Sequence, residues 1–471
     1  MNSTLGADLA RLVGAGCVST DRGQIDRYSG DALGVYRAFR AAHRLEANPG
    51  AVAWPTSAQH VSAILKYAQA HQVPVVPYGG GTGVMGAATS MDECIILNLQ
   101  RMNVVVDVRS QDMVARLQPG VVLEDANVAF NKQGLLMGHD PWSRPIATVG
   151  GAISTNGMGY LAAKYGSMGE QVLGLEAVLP DGEIVRTNGI PKPSYGPSLN
   201  SLLIGTEGTL GVVTEATLRA FPLPEKQLIL GVDFPDFESG FHAVAQLYAE
   251  GVRPAMVDYG EEFWPENSDS QDCATLYLAF QGFREDVDAH LTRSQDICGR
   301  FGGSPGDQQE AQEFWDTRHS SGERYRQEVL LSDDPAKARR DRSSYRMDYL
   351  HVALPISQVL AYRKKCQSIF QDTNVIVREW SLWARPEFFS FLIARENEEH
   401  SNGNAPEMAD VVDQVLNLAQ QMGGSMEYCH GVGVKLAHLM GDELGNSLNV
   451  AQAIKRTLDP NLILNPGKLL G

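Results

Sequence analysis

Residues 75–86, Val-Val-Pro-Tyr-Gly-Gly-Gly-Thr-Gly-Val-Met-Gly, constrain this chain more than any other stretch. The apolar run over residues 73–76 has the character of a short buried strand, and the glycines after it leave a row of backbone N–H groups with no side chains to block approach. Such a loop can cradle a pyrophosphate. It contains no Lys and lacks the spacing Gly-x4-Gly-Lys-Ser/Thr, so it is not a nucleotide-hydrolysing P-loop. Nor does it fit the Gly-x-Gly-x-x-Gly fingerprint that opens a helix, because residues 84–90 make a poor helix start. Taken by itself, the stretch reads equally as a tight glycine turn between two strands.

Its surroundings decide between these readings. Upstream, Ser57 is the expected N-cap of a helix whose inner face is Val61, Ile64, Leu65 and Ala68. Downstream come Thr148-Val149-Gly150-Gly151-Ala152-Ile153-Ser154-Thr155-Asn156-Gly157-Met158-Gly159 and Gly205-Thr206-Glu207-Gly208-Thr209-Leu210-Gly211. Near the end stands Leu458-Asp459-Pro460-Asn461-Leu462-Ile463-Leu464-Asn465-Pro466-Gly467-Lys468. With these four motifs in this order the chain resembles, over nearly its whole length, the FAD-linked oxidase superfamily. That group includes vanillyl-alcohol oxidase, p-cresol methylhydroxylase, the flavin subunit of glycolate oxidase and the D-lactate and D-2-hydroxyglutarate dehydrogenases. The fold implied is α+β: a two-subdomain FAD-binding domain of the p-cresol methylhydroxylase type, with an α+β substrate cap.

Composition adds its own limits. A chain of 471 residues, 43% hydrophobic, exceeds one ordinary core and predicts two domains. A net charge of −17 argues against nucleic acid as a partner. The cysteines at 17, 94, 273, 298, 366 and 429 show no Cys-x-x-Cys spacing, which favours reduced thiols in a cytoplasmic protein. No uninterrupted apolar run reaches about eighteen residues, so a soluble protein without a membrane span is expected.

In chain order, a short helix is expected at residues 5–13, followed by a second piece over 21–29. Buried strands are expected at 95–99 and 104–107, then the segment 113–117, a helix at 123–132, and a hairpin over 175–186 turning at Asp181-Gly182. Pro222 and Pro224 mark the boundary between an FAD-binding domain, residues 1–222 completed by 451–471, and a cap, residues 223–450. Within the cap, strands are expected near 227–233 and 275–280 and helices at 237–250 and 286–301. Residues 333–345 read as an exposed loop or short helix, and 400–406 as a loop.

The resemblance assigns pyrophosphate contacts to Tyr78, Gly79, Gly80, Gly81, Thr82 and Gly83, and places Pro77 beside them in the FAD site. It assigns the rest of the FAD site to Pro141, Thr148, Gly150, Gly151, Ser154, Thr155, Gly159, Tyr165, Gly166, Val213 and Asn465. Residues 77–86 contain no His for a covalent flavin link, which favours a dissociable FAD. In the cap, Trp315-Asp316-Thr317-Arg318 is similar to the Trp-x-x-Arg segment whose Arg holds a substrate carboxylate in the 2-hydroxyacid enzymes. A planar guanidinium suits that bidentate task. Tyr349 aligns with an assisting basic residue, and His351 follows two residues on.

The family's divalent-metal ligands align with Trp383, Ser390 and Cys429, so all three are missing together and no metal site is expected. His430 aligns with the base that takes the hydroxyl proton, a role suited to imidazole. Trp383, Phe388 and Tyr349 would make the pocket aromatic, favouring an aromatic or bulky substrate, with Arg385 as a spare cation for a carboxylate or phenolate.

The function implied is FAD-dependent oxidation of a hydroxyl-bearing small molecule, with the electron acceptor open between oxygen, a quinone and an electron-transfer flavoprotein. The family is often dimeric. Two alternatives differ in class: a redox-neutral flavoenzyme of the alkyl-dihydroxyacetonephosphate synthase type, which shares the His-Gly-Val-Gly of residues 430–433 but carries a run of three His absent here, and an FAD-carrying subunit of a larger complex.

Overall fold

The computed structural model describes residues 2–263, 274–340, 345–396 and 407–470. Three principal sheets organise it. The first has the spatial order Val18–Ser19, Ala51–Ala53, Ile95–Asn98, Val75–Tyr78, in which Ala51–Ala53 and Val75–Tyr78 run parallel to the central Ile95–Asn98. The helix Ala58–His71 makes the parallel crossover from Ala51–Ala53 towards Val75–Tyr78. Ser57 caps it as expected, its hydroxyl accepting the His60 N–H at 3.2 Å, and Val61, Ile64, Leu65 and Ala68 are buried.

The second sheet is antiparallel, in the order Val105–Arg109, Val114–Leu117, Val212–Arg219, Val172–Val178, Ile184–Arg186. Its last two strands form the expected hairpin, with Gly182 at φ 82 in the turn. The strand expected to be buried at 104–107 is instead an edge strand whose residues are half-buried or exposed, Val104 and Val106 among them. A β-branched run signals a strand but not which faces are covered.

The third sheet has seven antiparallel strands, in the order Ser304–Pro305, Lys226–Phe234, Ala274–Gly282, Met256–Glu262, Ile376–Trp383, Phe388–Glu396, Tyr345–Ala353. Side chains alternate faces along a strand, and cross-strand partners share one face. One face therefore carries Tyr259, Trp380, Leu382, Phe389, Phe391 and Val352, all buried in one apolar core with the helices Phe237–Ala249 and Val359–Asp372. Trp380 and Phe389 stack there at 5.5 Å.

The other face carries Asp258, Trp383, Ser381, Ser390, His351, Tyr349 and Glu379. A polar face on a central sheet needs partners, and it finds them at the site.

The chain's end returns to the first sheet: Ile463 and Leu464 pack in its core, and Leu464 bridges to Val75. The segment expected as a loop or short helix at 333–345 contains the helix Pro335–Arg340; residues 341–344 of it, and the loop expected at 400–406, lie outside the described residues.

Candidate active site

A deep cleft of about 1590 Å³, counted with its mouth, runs between the glycine loops and the polar face of the seven-stranded sheet. The first loop leaves the Val75–Tyr78 strand and lies backbone to backbone on residues 146–147. A Cβ on Gly80 would stand 2.4 Å from the Ile146 carbonyl oxygen, and Gly81 sits at φ 66, so both positions need glycine. Among the described residues, the backbone N–H groups of Gly79, Gly80, Gly81, Thr82 and Gly83 find no partner. Five successive unpaired donors on a cavity wall fit an anionic diphosphate, because unpaired backbone donors are otherwise rare and costly. The second loop opens the helix Val149–Thr155, with Thr148 as its N-cap.

Of the eighteen residues expected to hold FAD, fifteen line this cleft, and Tyr165, Gly166 and Asn465 do not. Tyr165 packs its ring on Phe221 at 4.5 Å and bonds Gln281 at 3.3 Å. Gly166, at φ 76, ends the short helix Ala162–Tyr165. The Asn465 amide donates to the Ala87 and Glu207 carbonyls at 2.9 and 2.7 Å, bracing the first and third glycine loops from behind.

The opposite end of the cleft is lined by Val257, Asp258, Trp383, Ala384, Tyr428, Cys429 and His430. Two carboxylates, Glu207 buried and Glu427 half-buried, hold the loop that carries His430. Glu427 accepts the N–H groups of Cys429 and His430 at 2.6 and 2.9 Å, and Glu207 of the third glycine loop accepts those of Val432 and Gly433. Among the described residues nothing hydrogen-bonds to the His430 ring, which stands edge-on to His351 at 4.5 Å. Burial, with Arg37 and Lys435 adding, lowers His430 to about 3, so it is a neutral imidazole at physiological pH.

His351 is the hub behind this wall. It bonds Ser390 Oγ through Nδ1 at 2.8 Å and packs on Trp383 at 4.9 Å and Tyr349 at 4.7 Å; Ser390 in turn bonds the Tyr428 hydroxyl at 2.8 Å. The positions that align with metal ligands thus do converge in space. Their donors do not fit a divalent cation: Trp383 offers none, Ser390 is engaged by His351 and Tyr428, and burial with Glu427 pushes the Cys429 thiol well up, against the thiolate a metal needs. Among the described residues no three His, Cys, Asp or Glu cluster as a metal group.

Four residues expected to touch substrate do not line the cleft. Arg318 stacks over Trp315 at 3.8 Å, and its Nε donates to Asp140 at 3.0 Å. Asp140 is buried and also meets His319 at 2.8 Å and Arg144 at 2.7 Å, so Arg318, which the resemblance assigned to a substrate carboxylate, faces a carboxylate of the chain itself through its Nε. Tyr349 donates to Glu379 and contacts Ser381, behind Trp383. His351 is buried, and Arg385 lies outside the cleft beside Glu387 at 3.8 Å. Trp383 and His430 line the cleft.

Asp258, Tyr428 and Glu207 were not singled out from sequence as site residues. For Glu207 the available signal is its place in the third glycine loop, between Gly205 and Gly208. Asp258 sits in a strand, Met256–Glu262, whose Gly260-Glu261-Glu262 end hides the alternation.

The chain matches the FAD binding domain family over residues 49–188 and the FAD linked oxidases C-terminal domain family over residues 223–469. D-lactate dehydrogenase of Archaeoglobus fulgidus is 30% identical over 433 residues, covering 88% of this chain and 90% of the relative. Among solved structures, p-cresol methylhydroxylase with substrate bound superposes with a TM-score of 0.75 at 18% identity, over 98% of this chain and 96% of that one. Alkyldihydroxyacetonephosphate synthase gives a TM-score of 0.73 at 20% identity, over 98% and 84%. Among the described residues no helix is long and apolar enough to cross a membrane. With two family matches that together cover the first two glycine loops and the seven-stranded sheet, this chain belongs to the FAD-linked oxidases, flavoproteins that bind FAD in a domain of the p-cresol methylhydroxylase type.

Proposed function

We propose that this protein oxidises a hydroxyl-bearing organic substrate, with His430 taking the hydroxyl proton. The observation that carries the reading is His430 itself: a neutral imidazole on the wall of the cleft that the glycine loops line, with a ring that no described residue occupies. Residues 79–83 would hold the diphosphate of FAD and the 148–155 segment would line the rest, and FAD bound there supplies the hydride acceptor. Trp383, Tyr428 and Met158 wall the reacting end and reduce water access. Tyr349 and His351 act through others, fixing Trp383 and His430 from behind.

No step uses a divalent metal, and without one to acidify the hydroxyl the base carries more of the proton transfer. FAD is held without a covalent link. The test is anaerobic mixing of the purified holoenzyme with a panel of alcohols, read as bleaching of the flavin absorbance. Bleaching by at least one alcohol is expected; a flavin that stays oxidised against the whole panel overturns the reading.

A further inference from the structure

Resting on that reading, the lining of the reacting end narrows the substrate class. Among the described residues that line the cleft there is no Lys and no Arg. The guanidinium of Arg318 is engaged by Asp140, and Tyr160, which does line the cleft, donates its hydroxyl to the Arg318 carbonyl at 3.1 Å. The lining carboxyl groups are Asp31, Glu207 and Asp258. Asp31 accepts N–H groups of Leu33 and Ala88, and Glu207 those of Val432 and Gly433. Asp258 alone has no hydrogen-bond partner among the described residues. It stands directly across the strand pair from Trp383, on the wall that also carries Tyr428, whose ring stacks on Phe388 at 4.5 Å.

We propose that the site takes an uncharged alcohol with an apolar or aromatic body and a second hydroxyl, rather than a 2-hydroxy acid: the reacting hydroxyl meets His430 and the second meets Asp258. A carboxylate at this end would bring a charge to a wall with no lining Lys or Arg to offset it, and an unpaired buried charge is costly. A hydroxyl instead gives Asp258 the partner it lacks, and the ring faces of Trp383 and Tyr428 take the body. Burial, with Glu379 and Glu262 adding, pushes Asp258 up to about 8, so at neutral pH it can both donate to and accept from a hydroxyl. As an alcohol oxidation, the carbinol would give its C–H hydride to FAD held in the cleft and its O–H proton to His430, and a ketone would remain.

Two matched pairs test this on the holoenzyme. Anaerobic flavin reduction compares 1-phenyl-1,2-ethanediol with mandelate, which differ only in a hydroxymethyl against a carboxylate. Calorimetry compares their ketone products, 2-hydroxyacetophenone and phenylglyoxylate, so that binding is read without turnover. The diol is expected to reduce the flavin faster, and 2-hydroxyacetophenone to bind at least about tenfold tighter than phenylglyoxylate. Asp258→Ala should weaken 2-hydroxyacetophenone by about tenfold, and Asp258→Asn by less because an amide still donates and accepts. Faster reduction by mandelate, or tighter binding of phenylglyoxylate, overturns the assignment and leaves the oxidoreductase reading intact. A flavin that no alcohol reduces overturns that reading instead, and the wild-type binding comparison still decides the hydroxyl preference.

Discussion

The Glu207 carboxylate accepts the backbone N–H groups of Val432 and Gly433, at 2.5 and 2.9 Å, and so ties the third glycine loop to the loop that presents His430. The two ends of the cleft are thereby set by one side chain. Burial pushes Glu207 up to about 7, and the N–H bonds it accepts pull it back. Glu207→Ala leaves two buried donors unsatisfied, each worth about 1–3 kcal/mol. A lower apparent Tm and a lower kcat through displacement of His430 are expected, and Glu207→Gln, which keeps one acceptor oxygen, should fall between. An alanine variant that melts and turns over like wild type would show that the brace is dispensable.

The first glycine loop gives a prediction about cofactor content. A branched side chain at Gly80 would collide with the Ile146 carbonyl and push the loop off residues 146–147. Purified Gly80→Val and Gly81→Val should carry little flavin, measured as the ratio of flavin to protein absorbance after native purification. Acid precipitation of wild type should leave the flavin in the supernatant. Full flavin occupancy in both variants would move the diphosphate site elsewhere.

What was legible in the sequence was what local chemistry decides. Ser57 caps its helix, Asp181-Gly182 makes its turn and the glycine loops line the cleft because each depends on residues within a few positions. Arg318 is different. Its partner Asp140 lies 178 residues away, and no pattern in the cap announces that a carboxylate of the other sheet system will reach it first. The same holds for Asp258 and Trp383, which share a face only because the strands Met256–Glu262 and Ile376–Trp383 pair in that register. Edge position likewise escaped, since the apolar residues of Val105–Arg109 look alike on a covered or an open strand.

The Asp140 cluster makes a stability prediction. Burial alone would raise Asp140, but the hydrogen bond from His319 and the charges of Arg318 and Arg144 hold it well below the usual carboxylate range. Neutralising it leaves Arg318 and Arg144 without their shared counter-charge, and removing one partner of a buried pair costs about 3–5 kcal/mol. Asp140→Asn should therefore unfold at clearly lower denaturant, while Arg318→Lys, which keeps the charge but loses the planar stack on Trp315, should lose less. Equal midpoints for Asp140→Asn and wild type would contradict the cluster's role.

Asp258 predicts a pH dependence with a definite sign. Its folded pKa, about 8, lies above the ordinary 3.8, so its contribution to stability is full below about pH 4 and is lost as pH rises to 8. Asparagine cannot ionise. The Tm advantage of Asp258→Asn over wild type should grow from pH 5 to pH 8 and level off beyond it, as read by scanning calorimetry at constant ionic strength. A difference that stays constant across that range would show that Asp258 is already charged in the folded protein.

His430 carries the last prediction. Because burial lowers it to about 3, the imidazole is neutral from pH 5 upward, and kcat/KM should show no acid limb near the ordinary histidine value of 6.5. Removing it should cost at least the roughly 10²-fold typical of a general base. Turnover should also be indifferent to metal, since Trp383, Ser390 and Cys429 cannot replace two imidazoles and a carboxylate. The measurement is steady-state kcat/KM of wild type and His430→Ala between pH 5 and 9, before and after dialysis against a strong chelator, with metal content checked by elemental analysis. An acid limb at 6.5 would mean that the imidazole protonates in the free enzyme and that its surroundings are wetter than the packing of His351 and Trp383 implies. Chelator-sensitive activity restored by zinc would refute the metal-free step, and a near-normal rate in His430→Ala would leave the hydroxyl proton to another group on the same wall, of which Tyr428 is the next within reach of the cleft.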